Sequence, residues 1–310
     1  MITIYFRITF LFLITVIFSI NANAQSKSNA DTSYFKLQLD YLSNYVYNGR
    51  VDSIKSPYQT ITASYHFSNG IYLNGSANYL LASGQNRFDY FQFDVGYEYK
   101  LGEKISGEVY GSKYFYNNNA NLLNGNISAD FGASFNYDFG LVQFNNTADL
   151  FFSNATDFQY NPGVEKSIKL GDASKPGYWS ITPGVYANIS SINYYESLVN
   201  RKINGAKGGA KAKNVTPLYP IITNITSVKN PGVKLMDYEF TMPITYDVNN
   251  WNLTFTSTFA MPQSPIFTSS TITTQLANGV SSAVINNSTP YSEKNLKNSF
   301  YFQFGIAYKF

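Results

Sequence analysis

Apolar and polar residues alternate with a period of two along most of the chain. The clearest run is the last one. Phe300, Phe302, Phe304, Ile306, Tyr308 and Phe310 fall on one side, and Tyr301, Gln303, Gly305, Ala307 and Lys309 on the other. This is a strand with one strongly apolar face and one small or polar face. Phe91, Phe93, Val95, Tyr97 and Tyr99 alternate in the same way with Gln92, Asp94, Gly96 and Glu98. Leu150 and Phe152 share a face with Val142 and Phe144, against Gln143, Asn145, Thr147 and Asp149. Twelve strands follow from this pattern: 34–47, 58–67, 71–81, 88–100, 105–116, 127–138, 141–153, 158–169, 178–189, 234–247, 251–261 and 299–310. Runs of about ten residues suit a strand that crosses a membrane at a tilt, and exceed the five or six usual in soluble sheets.

The connections carry the same message. Short ones (68–70, 101–104, 139–140, 170–177 and 248–250) alternate with generally longer ones (48–57, 82–87, 117–126, 154–157, 190–233 and 262–298). Short turns on one side and long loops on the other are the pattern of an outer-membrane barrel. The expected fold is therefore all-β, a transmembrane antiparallel up-and-down barrel of about twelve strands. The Asn/Thr/Ser/Gln/Gly face with its scattered carboxylates lines the inside, and the Phe/Tyr/Leu/Ile/Val face meets lipid. Many of the tyrosines are expected in girdles at the two membrane interfaces.

Composition agrees. Of 310 residues, 13% are charged and 17% aromatic, and 22 Lys+Arg stand against 19 Asp+Glu. A mean hydropathy of −0.19 argues against a bundle of membrane helices. A net charge of +3 with evenly spread aromatics argues against nucleic-acid binding. With no cysteine, disulfides and thiolate metal sites are excluded. Residues 1–24 read as a cleaved signal peptide: Arg7, then the apolar run Ile8 to Ile20, then Ala22 and Ala24 in a small-x-small pattern. Residues 25–33 form a periplasmic N-terminal segment, and 34–310 the single barrel domain. The expected location is the outer membrane.

The ending Tyr301 to Phe310 resembles the signal read by the barrel-assembly machinery in Gram-negative outer-membrane β-barrels, with alternating aromatics Phe302, Phe304 and Tyr308 and a final Phe310. The architecture resembles barrels of the Bacteroidetes type. Ser43-Asn44-Tyr45-Val46-Tyr47-Asn48-Gly49-Arg50, followed by Pro57-Tyr58-Gln59, is similar to the opening of an uncharacterised outer-membrane family loosely grouped with nucleoside-specific channels. Asn48 stands where that family has arginine, and Arg50 follows the glycine. The resemblance implies the barrel-assembly machinery, membrane lipids and lipopolysaccharide as partners.

Candidate chemistry is sparse. The single histidine, His66, adjoins a short turn, away from the outer rim where barrel lipid hydrolases act, so no enzyme is expected. No cofactor and no metal site is expected. Extending the alternation places Asp40, Asp94, Glu98, Glu108, Asp130, Asp149, Glu165, Asp237 and Glu239 on the inner face, with Lys36, Lys234 and Lys309 as inward cations. Two functional readings follow. In the first, the barrel is a passive channel for small hydrophilic or cationic solutes, biased by an acid-lined lumen. In the second, tyrosine hydroxyls and lysines pair with these carboxylates, and the barrel is a closed structural or surface-interaction module. Loop 190–233 carries Arg201, Lys202, Lys207, Lys211 and Lys213 among Gly and Ala, either as a contact for anionic lipopolysaccharide or as a solvated loop. Loop 262–298, rich in Ser, Thr and Asn, is read as a hairpin above the membrane in preference to a binder of sugar or nucleoside.

Overall fold

Strand β1 (Tyr34–Leu42) pairs on one side with β2 (Tyr58–His66) and on the other with β12 (Ser299–Lys309). The first and last wall strands therefore close the sheet. Between them run β3 (Ile71–Leu80), β4 (Arg87–Leu101), β5 (Ile105–Tyr116), β6 (Ala129–Asp138) and β7 (Gln143–Phe152), then β8 to β11. Strand β8 is Thr156–Glu165 with the continuation Ile168–Leu170, and β9 is Tyr178–Ile181 with Gly184–Ser190. Strands β10 (Lys234–Val248) and β11 (Trp251–Pro262) complete the wall. Within the wall every pairing is antiparallel and joins successive wall strands, apart from the β1–β12 closure. The computed structural model describes residues 32–51, 55–82, 84, 86–117, 120, 127–153, 156–171, 177–193, 221–228, 232–275, 281–286 and 296–310. Residues 1–24 and the loop cations 201–213 lie outside them.

Closure gives each wall strand partners on both sides, apart from the short continuation Ile168–Leu170, so the backbone polar groups of the span find partners within the barrel, as lipid requires. The two faces are opposite in kind. Outward positions hold Phe93 (58% exposed), Val95, Phe131, Leu150, Phe240, Phe259 and Phe300 (66%). Inward positions hold Asn78, Ser112, Asp130 and Thr258, all buried. Rings gather at the short-turn rim: Trp251 and Tyr308 lie 4.6 Å apart, Tyr308 and Phe310 4.8 Å, Phe35 and Phe310 5.6 Å, and Trp179 and Tyr246 4.7 Å. Amphipathic rings of this kind sit at headgroup level. Phe302, Phe304, Tyr308 and Phe310 all lie on the outer face of β12.

Three sequence expectations are corrected. The first strand ends at Leu42, not at residue 47. Val46–Tyr47 and Arg50–Val51 instead pair as a minimal hairpin turned by Asn48 (φ 50°) and Gly49 (φ 72°). Two consecutive positive φ values are what a tight primed turn demands, and Asn-Gly meets that demand. Nor are all the tyrosines girdle residues, since Tyr58, Tyr72, Tyr110, Tyr114, Tyr186 and Tyr301 bond lumen carboxylates and Tyr90 packs among them. The gap before β8 is shorter than the spacing suggested, because the strand starts at Thr156. The expected hairpin in loop 262–298 is present as Thr268–Gln275 paired with Ser281–Asn286, and Ile221–Val228 adds a third strand.

Candidate functional site: the lumen

The inner face is built from tyrosines laid across glycines. Gly96, Gly132 and Gly163 lie beneath the rings of Tyr72, Tyr110 and Tyr186, and a methyl group at any of these glycines would overlap the ring. With the ring flat on the wall, the hydroxyl reaches a carboxylate. Tyr72 donates to Glu108 (2.9 Å), Tyr110 to Asp149 (2.5 Å) and Tyr186 to Glu165. Tyr114 donates to Asp130 (2.5 Å), Tyr58 to Asp89, and Tyr301 to Glu239 (3.2 Å). A phenol donating to an ionised carboxylate makes a charge-assisted bond, shorter and stronger than one between neutral groups. Amides serve elsewhere: Gln38 and Gln303 donate to Asp40, and Gln92 to Asp94.

Of the carboxylates in the sequence-derived set, Asp40 lies on β1, Asp94 and Glu98 on β4, Glu108 on β5, Asp130 on β6, Asp149 on β7, Glu165 on β8, and Asp237 and Glu239 on β10. Lys36 and Lys309 are opposite each other in register on β1 and β12, with the Lys309 ammonium 3.7 Å from the Tyr34 ring centroid. Asp89 and Asp157 are anchored at the long-loop end. Asp89 accepts from Arg87 at 2.8 Å, and Asp157 from Ser191 Oγ at 2.6 Å and the Asn193 backbone N–H at 2.8 Å. His66 stacks on Tyr34 at 4.6 Å, and its Nδ1 lies 3.7 Å from Glu98.

The hairpin after β1 folds into the barrel. Asn48 and Arg50 are buried. The Tyr47 hydroxyl donates to Gln159 on β8 at 3.4 Å. Gly49 packs so closely on Asp237 of β10 that an added Cβ would lie 2.7 Å from the aspartate Cβ. Arg50 donates to the Asn48 carbonyl at 2.6 Å and to the Ser264 carbonyl beyond β11. Neither β8 nor β10 neighbours β1, so the hairpin spans the lumen. Asp237 beneath it is fully buried, and its carboxylate makes no hydrogen bond of normal geometry among the described residues.

The two sides of the lumen differ at this level. Against β2 to β5, Tyr58, Leu80 and Ala82 form a small buried core with Leu42, Tyr45, Tyr90 and Tyr116 packed on it. Burial, reinforced by Tyr90 and Tyr116, holds the Tyr45 phenol well above its ordinary range, so it stays neutral at physiological pH. Against β8 to β11 there is open space instead, a cavity of about 340 Å³ lined by Asn161, Tyr186, Asn188, Glu239, Thr241 and Thr256. Period two places these residues inside. It carries no sign that they share a pocket, and Arg50 was not among the inward cations expected. The signals for them are the Asn-Gly turn at 48–49 and the glycines facing Tyr186.

A closed antiparallel strand order, an apolar exterior and a charged polar interior define the class: this is an outer-membrane β-barrel. Among solved structures, the chain is similar to the KdgM porin (TM-score 0.42, 8% identity, covering 90% of this chain and 99% of that one). It is also similar to the NanC porin (TM-score 0.42, 10% identity, 89% and 100%) and to OmpF of Salmonella typhi in complex with daunomycin (TM-score 0.29, 8% identity, 90% and 97%). These likenesses are of overall architecture, at identities too low to carry a solute or a site. No protein-family model matches the chain, and no curated protein matches it by sequence.

Proposed function

We propose that the chain is a passive outer-membrane channel for small hydrophilic or cationic solutes, moving by diffusion along an acid-lined lumen. In this reading residues 1–24 direct export and are removed. The aromatic β12 ending through Phe310 is read by the barrel-assembly machinery. Arg201, Lys202, Lys207, Lys211 and Lys213 meet lipopolysaccharide. The observation that carries the reading is the imbalance of the inner face. Asp40, Asp94, Glu108, Asp149, Glu165 and Glu239 accept from hydroxyl and amide donors, while Lys36, Lys234, Lys309 and, on the hairpin, Arg50 are the cations opposing them. Carboxylates on a low-dielectric wall attract cations and repel anions.

The test is conductance of the refolded chain in a planar bilayer under a salt gradient. Discrete steps with a cation-selective reversal potential are expected. The triple variant Asp40→Asn, Asp94→Asn, Glu108→Gln should move the reversal potential toward zero; an unchanged potential overturns the acid-lined mechanism. The buried hairpin and the tyrosine core support a second reading, a closed barrel acting through its outer loops. A silent bilayer with a barrel that shows heat-modifiable gel mobility would favour it.

A further inference from the structure

We propose that the cavity on the β8–β11 wall is a binding subsite for a small hydroxylated organic cation. The inference rests on the channel reading and adds a solute class and a place to it.

Glycines set the geometry. Gly163 on β8 lies beneath the Tyr186 ring, and a Cβ built on Gly184, two residues before Tyr186, would lie 2.8 Å from its Cε2. With no side chain at either position, the ring lies along the wall and turns a π-face to the lumen. Its hydroxyl is committed to Glu165, and Asn145 approaches that hydroxyl at 3.5 Å, so the ring is held at its tip. Glu239 is directly opposite Tyr186 in the β9–β10 register. A carboxylate beside a flat aromatic ring is the pairing that holds ammonium groups, because the ring quadrupole and the negative charge favour the same ion.

The rest of the lining sets the remainder of the ligand. Thr241 and Thr256 present hydroxyls, while Asn161 donates to Asn188 and accepts from Gln159, so these amides hold one another in place along the lining. The threonine hydroxyls suit a hydroxyl on the solute, which both donates and accepts. No lysine or arginine lines the cavity. Glu165 and Asp237 flank it, and with Glu239 they outnumber the one cation nearby, Arg50 of the hairpin resting on Asp237, so the net charge around it is negative. An anionic solute is therefore disfavoured, and a neutral polyol would leave the ring and the carboxylate without their best partner. The tyrosine core fills the opposite wall, and the hairpin rests on this one at Asp237 and Gln159, beside the cavity.

Choline is the probe, since it is permanently charged and carries one hydroxyl, and its uncharged carbon isostere dimethylbutanol is the control. Both are titrated calorimetrically into the full chain refolded in detergent micelles. Choline should bind and the isostere should not. Glu239→Gln should weaken choline binding by about tenfold or more, in line with loss of one partner of a close charge pair. Tyr186→Leu should weaken it by a smaller factor, and stands in as the deciding variant if Glu239→Gln does not refold. Glu103→Gln, in an exposed turn, should leave it unchanged. Equal binding of choline and its isostere overturns the subsite, as does choline affinity that neither variant alters. The bilayer experiment separates the two proposals: cation-selective steps insensitive to choline sink the subsite and spare the channel, whereas choline binding by a silent barrel does the reverse.

Discussion

The wall of β2 to β5 and the wall of β8 to β11 use the same materials to opposite effect. Each lays tyrosines over inward-facing positions and ties their hydroxyls to carboxylates. On the first wall the rings stack on one another: Tyr90 lies 5.4 Å from Tyr116 and 6.3 Å from Tyr58, and Tyr45 lies 5.9 Å from Tyr58. They exclude water and fill the space. On the second wall Tyr186 has no inward aromatic neighbour within stacking distance among the described contacts, and small polar residues surround it. The same residue type therefore makes a plug or a platform, according to what stands next to it. Small barrels fill with side chains while large ones hold water. This twelve-stranded barrel does both at one level.

The comparison breaks most severely at the glycines. Gly163→Val pushes the Tyr186 ring off the wall and breaks its bond to Glu165. Overpacking of this kind costs about 1–3 kcal/mol, with the lost hydrogen bond added. Gly111→Ala is the matched control, because an added Cβ there meets only the Asp130 carbonyl, at 3.6 Å. Urea unfolding of the refolded barrel, followed by tryptophan fluorescence and gel mobility, should show a large fall in midpoint for the first and little for the second. Equal midpoints would mean that the Tyr186 platform is not held by its glycine.

Removing single hydroxyls sharpens the contrast between the walls. Tyr58→Phe strips a donor from Asp89, which is fully buried, and leaves Arg87 as its partner. The expected cost is about 1–2 kcal/mol, because a buried acceptor loses a bond it cannot replace with water. Tyr186→Phe strips a donor from Glu165, which faces the open side where water substitutes, and should cost about 0.5 kcal/mol. The same unfolding assay reads both. A larger loss at Tyr186 than at Tyr58 would reverse the assignment of packed and open sides.

Much of this architecture was readable from period two alone. The β12 alternation from Phe300 to Phe310 and the β4 alternation around Phe91 to Tyr99 reappear as outer and inner faces, because one face of each strand meets lipid and the other meets polar groups. The first departure arose at residues 43–51. Tyr45, Val46 and Tyr47 look like the end of a strand, and only the Asn-Gly pair after them signals that the chain turns back. The second arose with tyrosine, which is apolar enough for a girdle and polar enough for a lumen. For Tyr72, Tyr110 and Tyr186 what decides is a glycine on the adjacent strand, and such a pairing depends on register, which a single strand's pattern does not contain. The cavity was invisible for the same reason: Asn161, Tyr186, Asn188, Glu239 and Thr256 come from four strands and meet only once the sheet is closed.

The hairpin Val46–Val51 is where the two walls communicate, and Arg50 is the residue to change. Its guanidinium fastens the hairpin to the Ser264 carbonyl on the β11 side, while Gly49 rests on Asp237 and Tyr47 reaches Gln159. The wall does not depend on this contact, since all its strands pair without it. Arg50→Ala should therefore cost little stability, about 1 kcal/mol for the lost bonds to carbonyls, and leave the unfolding midpoint close to that of the parent. Its effect should appear in conductance, which should rise as the untethered hairpin clears the space above Asp237, and in cation selectivity, which should strengthen as one positive charge leaves an acidic passage. The sign of the second change separates an electrostatic role from a purely steric one. Higher conductance with unchanged selectivity would make the hairpin an obstacle only. Unchanged conductance would place the passage along the β8–β11 wall clear of it, with the open side already wide enough to carry the flux.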